Sequence, residues 1–232
     1  MMGNNKFKYK IENKRYHTWN YYLRQKFGTK VFKVSINAGF TCPNIDGSIS
    51  YGGCAYCSKD GSGDFAGNPR DNLVKQFKEI KEMMEKKWPQ AKYIGYFQAF
   101  TNTYAPLEVL KEKYETILDQ EGVIGLSIST RPDCIDDHIL DYLDDLNKRT
   151  NLCVELGLQT VHDKTSNIIN RGHGLDIFID CVNRLRSRGI EVVAHVINGL
   201  PGESHDMMME TISRVAQMNI QGVKIHLLHV IK

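Results

Sequence analysis

The sequence predicts an α/β fold built on a parallel sheet, and three observations carry that expectation. Six short apolar or β-branched runs recur along the chain: VFKVSINA (31–38), KYIGYFQAF (92–100), GVIGLSIST (122–130), LCVELGLQT (152–160), IEVVAHVING (190–199) and GVKIHLLHV (222–230). Amphipathic stretches of helical period lie between them. Each run also finishes in unusual polar groups, and parallel α/β proteins gather their chemistry at the C-terminal edge of the sheet. Strands alternating with helices argue for right-handed crossovers.

The connections follow in order. In 71–88, Leu73, Phe77, Ile80 and Met84 share one stripe, with Lys and Glu opposite. In 105–120, Leu107, Leu110, Tyr114, Ile117 and Leu118 repeat the pattern. The segments 136–149 and 204–218 are further helices, the second opened by Ser204 as an N-cap. Residues 162–188 read as two helical pieces broken at RGHG. No Pro/Gly/Ser-rich linker, low-complexity tract or repeat interrupts the series. The strand ends are polar throughout: QAFTNT after strand two, STRPD after three, ELGLQT at four, HVINGLPGE at five and HLLH at six. Six such ends in register predict one shared site.

With 41% hydrophobic and 25% charged residues in 232, the chain has the balance of an ordinary globular protein with one sizeable core. The polar, basic N-terminus has no secretory signal, and no run approaches the length of a membrane span. A cytoplasmic protein with reduced thiols is the expectation. The net charge of +3 hides an asymmetry. Residues 1–33 hold nine Lys and Arg against one acid, Glu12, a surplus of eight that leaves −5 for the remainder. Phe7, Tyr9, Tyr16, Trp19, Tyr21 and Tyr22 are interleaved with them. Basic and aromatic residues together suit phosphates and unpaired bases. The alternative is a solubilising arm whose aromatics pack on the domain. Residues 1–30 are read as a basic extension and 31–232 as one domain that stops directly after strand six; the resemblance set out below implies a barrel domain truncated there.

The loop after strand one holds Cys42, Cys54 and Cys57, spaced C-x11-C-x2-C. A disulfide needs two thiols and a closed zinc site four ligands. No His lies in this loop; the nearest are His17 and His138. A [4Fe–4S] cluster held by three thiolates keeps one iron for an outside ligand, which makes an odd count useful. Cys153 and Cys181 read as small core residues, and Cys134 lies after RPD near the predicted edge. His195, His226 and His229 fall near the ends of strands five and six, and strict alternation turns His195 and Asn198 to opposite faces. Arg131 and Asp133 are placed to pair at the rim. No Ser-His-Asp set, G-x4-G-K-[ST] loop or glycosidase-like carboxylate pair is present.

A strand leading into a three-cysteine loop that ends Cys54-Ala55-Tyr56-Cys57 and opens a six-strand series resembles the radical S-adenosylmethionine superfamily. Most members space the cysteines C-x3-C-x2-C. The wide spacing here, with GFTCPNIDG, YFQAFTNT, TRPDC, ELGLQT, INRGH and NGLPGE, is similar to the YhcC/YtqA group, over nearly the whole chain from about Tyr16. TRPD and the E-G-Q pattern also resemble, more distantly, radical enzymes of the elongator type.

The resemblance implies a partial (β/α)6 TIM-type barrel with the cluster near its top. It implies that Cys42, Cys54 and Cys57 ligate a [4Fe–4S] cluster whose free iron binds S-adenosylmethionine, and that reductive cleavage yields a 5′-deoxyadenosyl radical. Tyr56 would lie against the adenine. Gln98, Ala99, Phe100 and Thr101 would meet the methionine amino group through backbone, since the usual Gly-Gly-Glu is absent. Glu155, Gln159 and Arg171 match positions that hold the ribose and the cofactor carboxylate, and Asn198 with the GLPGE turn approaches the adenine. No single catalytic residue is assigned. The implied partners are an electron donor such as flavodoxin or ferredoxin and, as substrate, tRNA, with remodelling of a wobble-uridine side chain; no membrane is involved. A radical enzyme acting on a small molecule or free nucleobase, and a non-catalytic zinc-binding RNA module, are the alternatives.

Overall fold

The computed structural model describes residues 14–229. Strands β1 (Val31–Ile36), β2 (Lys92–Phe97), β3 (Val123–Thr130), β4 (Asn151–Gln159), β5 (Glu191–Asn198) and β6 (Gly222–Leu227) form one sheet in sequence order, every neighbouring pair parallel. Helices α2 (Leu73–Glu85), α3 (Leu107–Leu118), α4 (Asp137–Arg149), α5 (Asp163–Ile168), α6 (Leu175–Ser187) and α7 (His205–Ala216) fill the crossovers. The break at RGHG and the Ser204 cap are both present; the Ser204 hydroxyl accepts from Met207 N. A 3-10 turn at Pro132–Cys134 and a helix α1 (Trp19–Phe27) are additions to the expected set.

Helical period decides the outer layer. Phe77 of α2, Leu110, Tyr114 and Ile117 of α3, Leu143 and Leu146 of α4 and Phe178 and Leu185 of α6 bury one stripe each against Val34, Ile36, Phe97, Ile128, Val154 and Val192 of the strands. The other strand face looks inward, and there the sheet curls. Across a flat sheet β2 and β6 would stand about 19 Å apart at roughly 4.8 Å per strand. Instead Lys224 Nζ of β6 lies 2.9 Å from Tyr96 Oη of β2. The result is a half-barrel with helices outside, as expected.

Helix α1 lies within the segment read as an extension, and it packs. Thr18 caps it, and Leu23 is buried against Val31 and Ile94, with Trp19, Tyr22, Phe27 and Ile124 around them. Lys26 pairs with Glu191 at 2.7 Å, and Tyr22 donates to the same carboxylate. The helix thus bridges the starts of β1 to β3 and of β5. Lys6, Lys8, Lys10, Phe7 and Tyr9 of the basic stretch lie outside the described residues, as does Val230 at the end of the sixth run.

Strands β3 and β4 approach closely at Gly125, where an added Cβ would meet the Asn151 carbonyl oxygen at 2.1 Å. Backbone cannot yield as a side chain can. Gly125→Ala is expected to lower stability by about 1–3 kcal/mol, the usual cost of overpacking. Urea unfolding checks this, and a change inside 0.5 kcal/mol would contradict the close approach.

Candidate active site

The long spacer between Cys42 and Cys54 folds back on itself. Cys42 O accepts from Ile45 N at 2.8 Å, Asp46 and Tyr51 form an antiparallel bridge, and Gly53 N donates to Asn44 O at 2.8 Å. The hairpin therefore returns the chain to its starting point, and Cys54 Sγ lies 3.3 Å from Asn44 Nδ2. Cys57 follows in a turn closed by its N–H on Cys54 O. All three thiols face one cavity of about 690 Å³ at the C-terminal edge of the strands.

A second loop, between α5 and α6, holds the hairpin down. Ala55 N donates to Ile169 O at 3.0 Å, and Asn170 Nδ2 to Gly53 O at 2.9 Å. Asn44 Nδ2 reaches the carbonyls of Asn170 and Arg171. Arg131 adds a third element: its Nη1 donates to Arg171 O at 2.7 Å, while Nε and Nη2 grip Asp133 at 2.9 and 2.7 Å. The expected Arg131–Asp133 pair is present and faces inward, with Arg131 buried. The Cys57 thiol is the main influence pulling the Cys54 thiol down to about 6; Tyr56, Asn44 and Arg131 help, against the opposing effect of burial. Cys57 is pushed up by Cys54 and by burial, so the two thiols titrate as a pair.

Of the residues named from sequence, Tyr56, Gln98, Phe100, Thr101, Glu155 and Gln159 line this cavity with the cysteines. Phe100 and Gln159 adopt left-handed backbone, with φ of 61° and 67°. Such strain at non-glycine residues costs about 1–3 kcal/mol each and collects at functional sites. At Gln159 it accompanies a register shift between β4 and β5, and the Oε1 atom is buried without a hydrogen-bond partner among the described residues. Phe100 is braced by the 58–67 loop: its N–H donates to Gly61 O, and its ring fills the place of a Cβ on Gly61. Ser58, Ser62, Asp64 and Phe65 of that loop border the cavity on the cysteine side.

Ala99, Arg171 and Asn198 are placed differently. Ala99 is fully buried behind the wall, against Gly63. Arg171 is neither a free clamp nor a surface ion pair. It is 1% exposed, and its guanidinium donates to the carbonyls of Leu158, Thr160 (2.6 Å) and His173 (3.0 and 2.8 Å). Those bonds make it a brace between the end of β4 and the α5–α6 loop. Asn198 follows alternation: His195 and Ile197 face the cavity, and Asn198 does not. Cys134 borders a smaller cavity beside Asp133, while Cys153 and Cys181 are buried core residues as read.

Glu155 lines the cavity but is already engaged. Its Oε1 accepts from Lys33 and Ser127, its Oε2 accepts from His195 at 2.6 Å, and Lys224 stands 3.7 Å away. Burial alone would raise this carboxyl; Lys33, His195 and Lys224 outweigh it and hold the group well below the carboxylate range. Lys33, Tyr96 and Lys224 were missed from the sequence. The signal was a lysine inside each of two apolar runs, because strands of a covered parallel sheet are otherwise almost continuously apolar.

Residues 49–215 match the family model described as the Radical SAM superfamily. The chain is 58% identical over 232 residues to the uncharacterized protein YtqA of Bacillus subtilis, covering all of this chain and 72% of that protein. It is 37% identical over 211 residues to protein YhcC of Escherichia coli K12, covering 90% of this chain and 67% of that one. A shorter stretch of 85 residues is 33% identical to the tRNA uridine(34) acetyltransferase of Methanocaldococcus infernus, covering 36% of this chain and 15% of that protein. Among solved structures, the Elp3 of Methanocaldococcus infernus with residues 1–46 deleted superposes with a TM-score of 0.60 at 18% identity, over 87% of this chain and 46% of that one. That likeness concerns the fold, and this chain spans less than half of that protein. The half-barrel, the three-cysteine loop at its C-terminal edge and the match over most of the chain's length lead to one conclusion: the chain belongs to the radical SAM superfamily.

Proposed function

We propose that Cys42, Cys54 and Cys57 hold a [4Fe–4S] cluster, that the adjoining cavity takes S-adenosylmethionine, and that the enzyme remodels the side chain of a tRNA wobble uridine. The observation that carries the cofactor reading is the donor set: three thiols of one loop, brought by a hairpin to the wall of a single cavity. Among the described residues no three His, Cys, Asp or Glu side chains converge to hold a single metal ion. A cubane does not require that, because each thiolate binds a different iron. The cavity also lies within the usual range for cofactor pockets, roughly 300–1,000 Å³, and the buried Gln159 Oε1 offers an acceptor to a ligand's N–H or O–H. The residues fit the group.

When bound, the cluster and S-adenosylmethionine supply an electron and a hydrogen-abstracting carbon radical. The chain's own residues hold and shield. Tyr56, packed beside Ile169, Ile197 and Leu200, presents a ring next to the thiols. Gln98, held by its Nε2 on Ser62 O at 2.8 Å, ties the end of β2 to the loop that borders the cysteine side. Thr101, with its N–H on Thr41 O, fixes the β2 end to the start of the cysteine loop. A flavodoxin or ferredoxin would be the electron donor.

The tRNA reading is supported by the local likeness to a protein named for uridine 34 of tRNA and by the basic segment ahead of β1, whose lysines suit a polyanion. Mass spectrometry of tRNA nucleosides from a strain lacking the protein tests it. A wobble-uridine derivative is expected to disappear while its precursor accumulates; an unchanged nucleoside profile would remove tRNA as the substrate. Among the described residues no helix is long and apolar enough to cross a membrane.

A further inference from the structure

The wall of the cavity away from the cysteines holds charge that the cofactor reading leaves unused. Glu155, from β4, is the only carboxylate among the described residues of that wall, and it faces two ammonium groups, Lys33 of β1 and Lys224 of β6. Asp64, the other carboxylate bordering the cavity, is exposed on the cysteine-side loop and bonded to Ser58. Arg131 is matched by Asp133. Beside Glu155, burial pulls His226 down to about 4 and also lowers His195, against the raising effect of its bond to Glu155. Among the described residues of this wall, two ammonium groups therefore share one carboxylate.

Lys224 is the group placed to present a positive charge to the cavity; burial lowers its pKa and Glu155 opposes that shift. Lys33 sits behind, its ammonium on Glu155 and within 4.7 Å of the Trp19 ring centroid and 4.5 Å of that of Tyr96. Lys224 lines the cavity. Its ammonium donates to Tyr96 Oη at 2.9 Å, and Glu155 at 3.7 Å is outside hydrogen-bond length. An ammonium has three donors, so N–H groups remain for a ligand in the cavity. His226 also lines the cavity, its ring 5.3 Å from that of His195, and adds a neutral donor or acceptor beside the lysine. Tyr96 in turn is fixed by Ser129 Oγ at 2.9 Å, so the lysine is aimed by a rigid partner on the opposite strand.

We propose that Lys224, aimed by Tyr96 and flanked by His226, is the subsite that takes an oxyanion of the substrate, a carboxylate or a phosphate, and turns the bound molecule toward the cysteine side of the cavity. This rests on the reading of the cavity as the chamber shared by cofactor and substrate.

The test reads the lysine itself. The purified full chain is pulsed with an amine-acylating ester, and acylation of Lys224 is followed by peptide mass spectrometry against the exposed Lys148. Acetate, inorganic phosphate and free methionine are added in separate arms, with chloride as the ionic-strength control. An anion at about ten times its dissociation constant should slow Lys224 about tenfold and leave Lys148 unchanged. Protection by acetate assigns a carboxylate, and protection by phosphate assigns a phosphate. Protection by methionine with neither simple anion would give the lysine to the cofactor and overturn the proposal, as would equal rates in every arm. Cleavage of S-adenosylmethionine is measured separately on the same preparation. Cleavage without protection sinks the subsite and leaves the radical reading standing; protection without cleavage does the reverse.

Discussion

Replacing Cys54 with serine will strip the purified protein of iron and end its cleavage of S-adenosylmethionine, a loss of at least roughly 10³-fold, as expected when one member of a group that acts as a unit is removed. Cys42→Ser and Cys57→Ser should do the same. The three thiols share one cavity wall, and Cys54 is the most deeply set, with the Asn44 amide on its sulfur. The contrast makes the experiment decisive. Cys153 and Cys181 are buried and do not line the cavity, and Cys134 borders a different one, so their serine variants should keep iron, sulfide and the brown charge-transfer absorbance of a cysteine-ligated cluster. Iron and sulfide analysis after anaerobic reconstitution reads the outcome. Stoichiometric zinc without iron in the parent protein, or full iron in all three loop variants, would refute the cluster assignment.

Glu155→Leu is expected to lower the unfolding free energy by about 2–4 kcal/mol. Breaking a buried ion pair by removing one partner typically costs about 3–5 kcal/mol, because the remaining charge is left uncompensated. Here the lysines keep some contact with solvent, 22% of the Lys33 side chain and 37% of that of Lys224, which moderates the cost. The double variant Lys33→Met/Glu155→Leu should recover most of the loss, since an apolar replacement of both partners is often neutral. The pH dependence has a definite sign. The Glu155 carboxyl is held below its unfolded value, so its contribution is fully present above the ordinary glutamate pKa and is lost as pH falls through the depressed folded one. The difference between parent and variant should be flat from neutral pH down to about pH 5 and shrink in stronger acid. A single variant within 0.5 kcal/mol of the parent in urea unfolding would show that the network does not hold the barrel interior together.

Much of this was legible in the sequence because the relevant signals are periodic or local. The six strands and the outer helices follow from alternation of apolar runs with amphipathic stretches, while their barrel order came with the family resemblance. The cysteine loop is visible from thiol spacing alone, and Asn198 turned away from the cavity as strict alternation with His195 requires. Arg171 was harder. Its sequence neighbours suggest a clamp, but three carbonyls converge on its guanidinium, and carbonyls leave no mark in a sequence. Lys33 and Lys224 are 191 positions apart and meet Glu155 only because the sheet curls, which strand patterning does not encode. Helix α1 was read as part of a basic arm because its cluster of aromatics and lysines lacks a clean apolar stripe; Leu23 is its only buried residue.

The knot that fastens the hairpin has a consequence for the order of events during synthesis. Asn44 and Asn170 are 126 residues apart, and the contacts among Asn44, Gly53, Ala55, Asn170 and Arg171 are non-local. Non-local contacts form only after the intervening chain has paid its loop-closure entropy, and translation delivers the chain from the N-terminus. The cysteine loop therefore leaves the ribosome well before the segment that fastens it, and its three thiols have no finished seat until β4 and the α5–α6 loop have docked. On the proposed cluster reading, loading of iron would follow that docking, and maturation would be gated by the arrival of residue 171 rather than by the exposure of the cysteines.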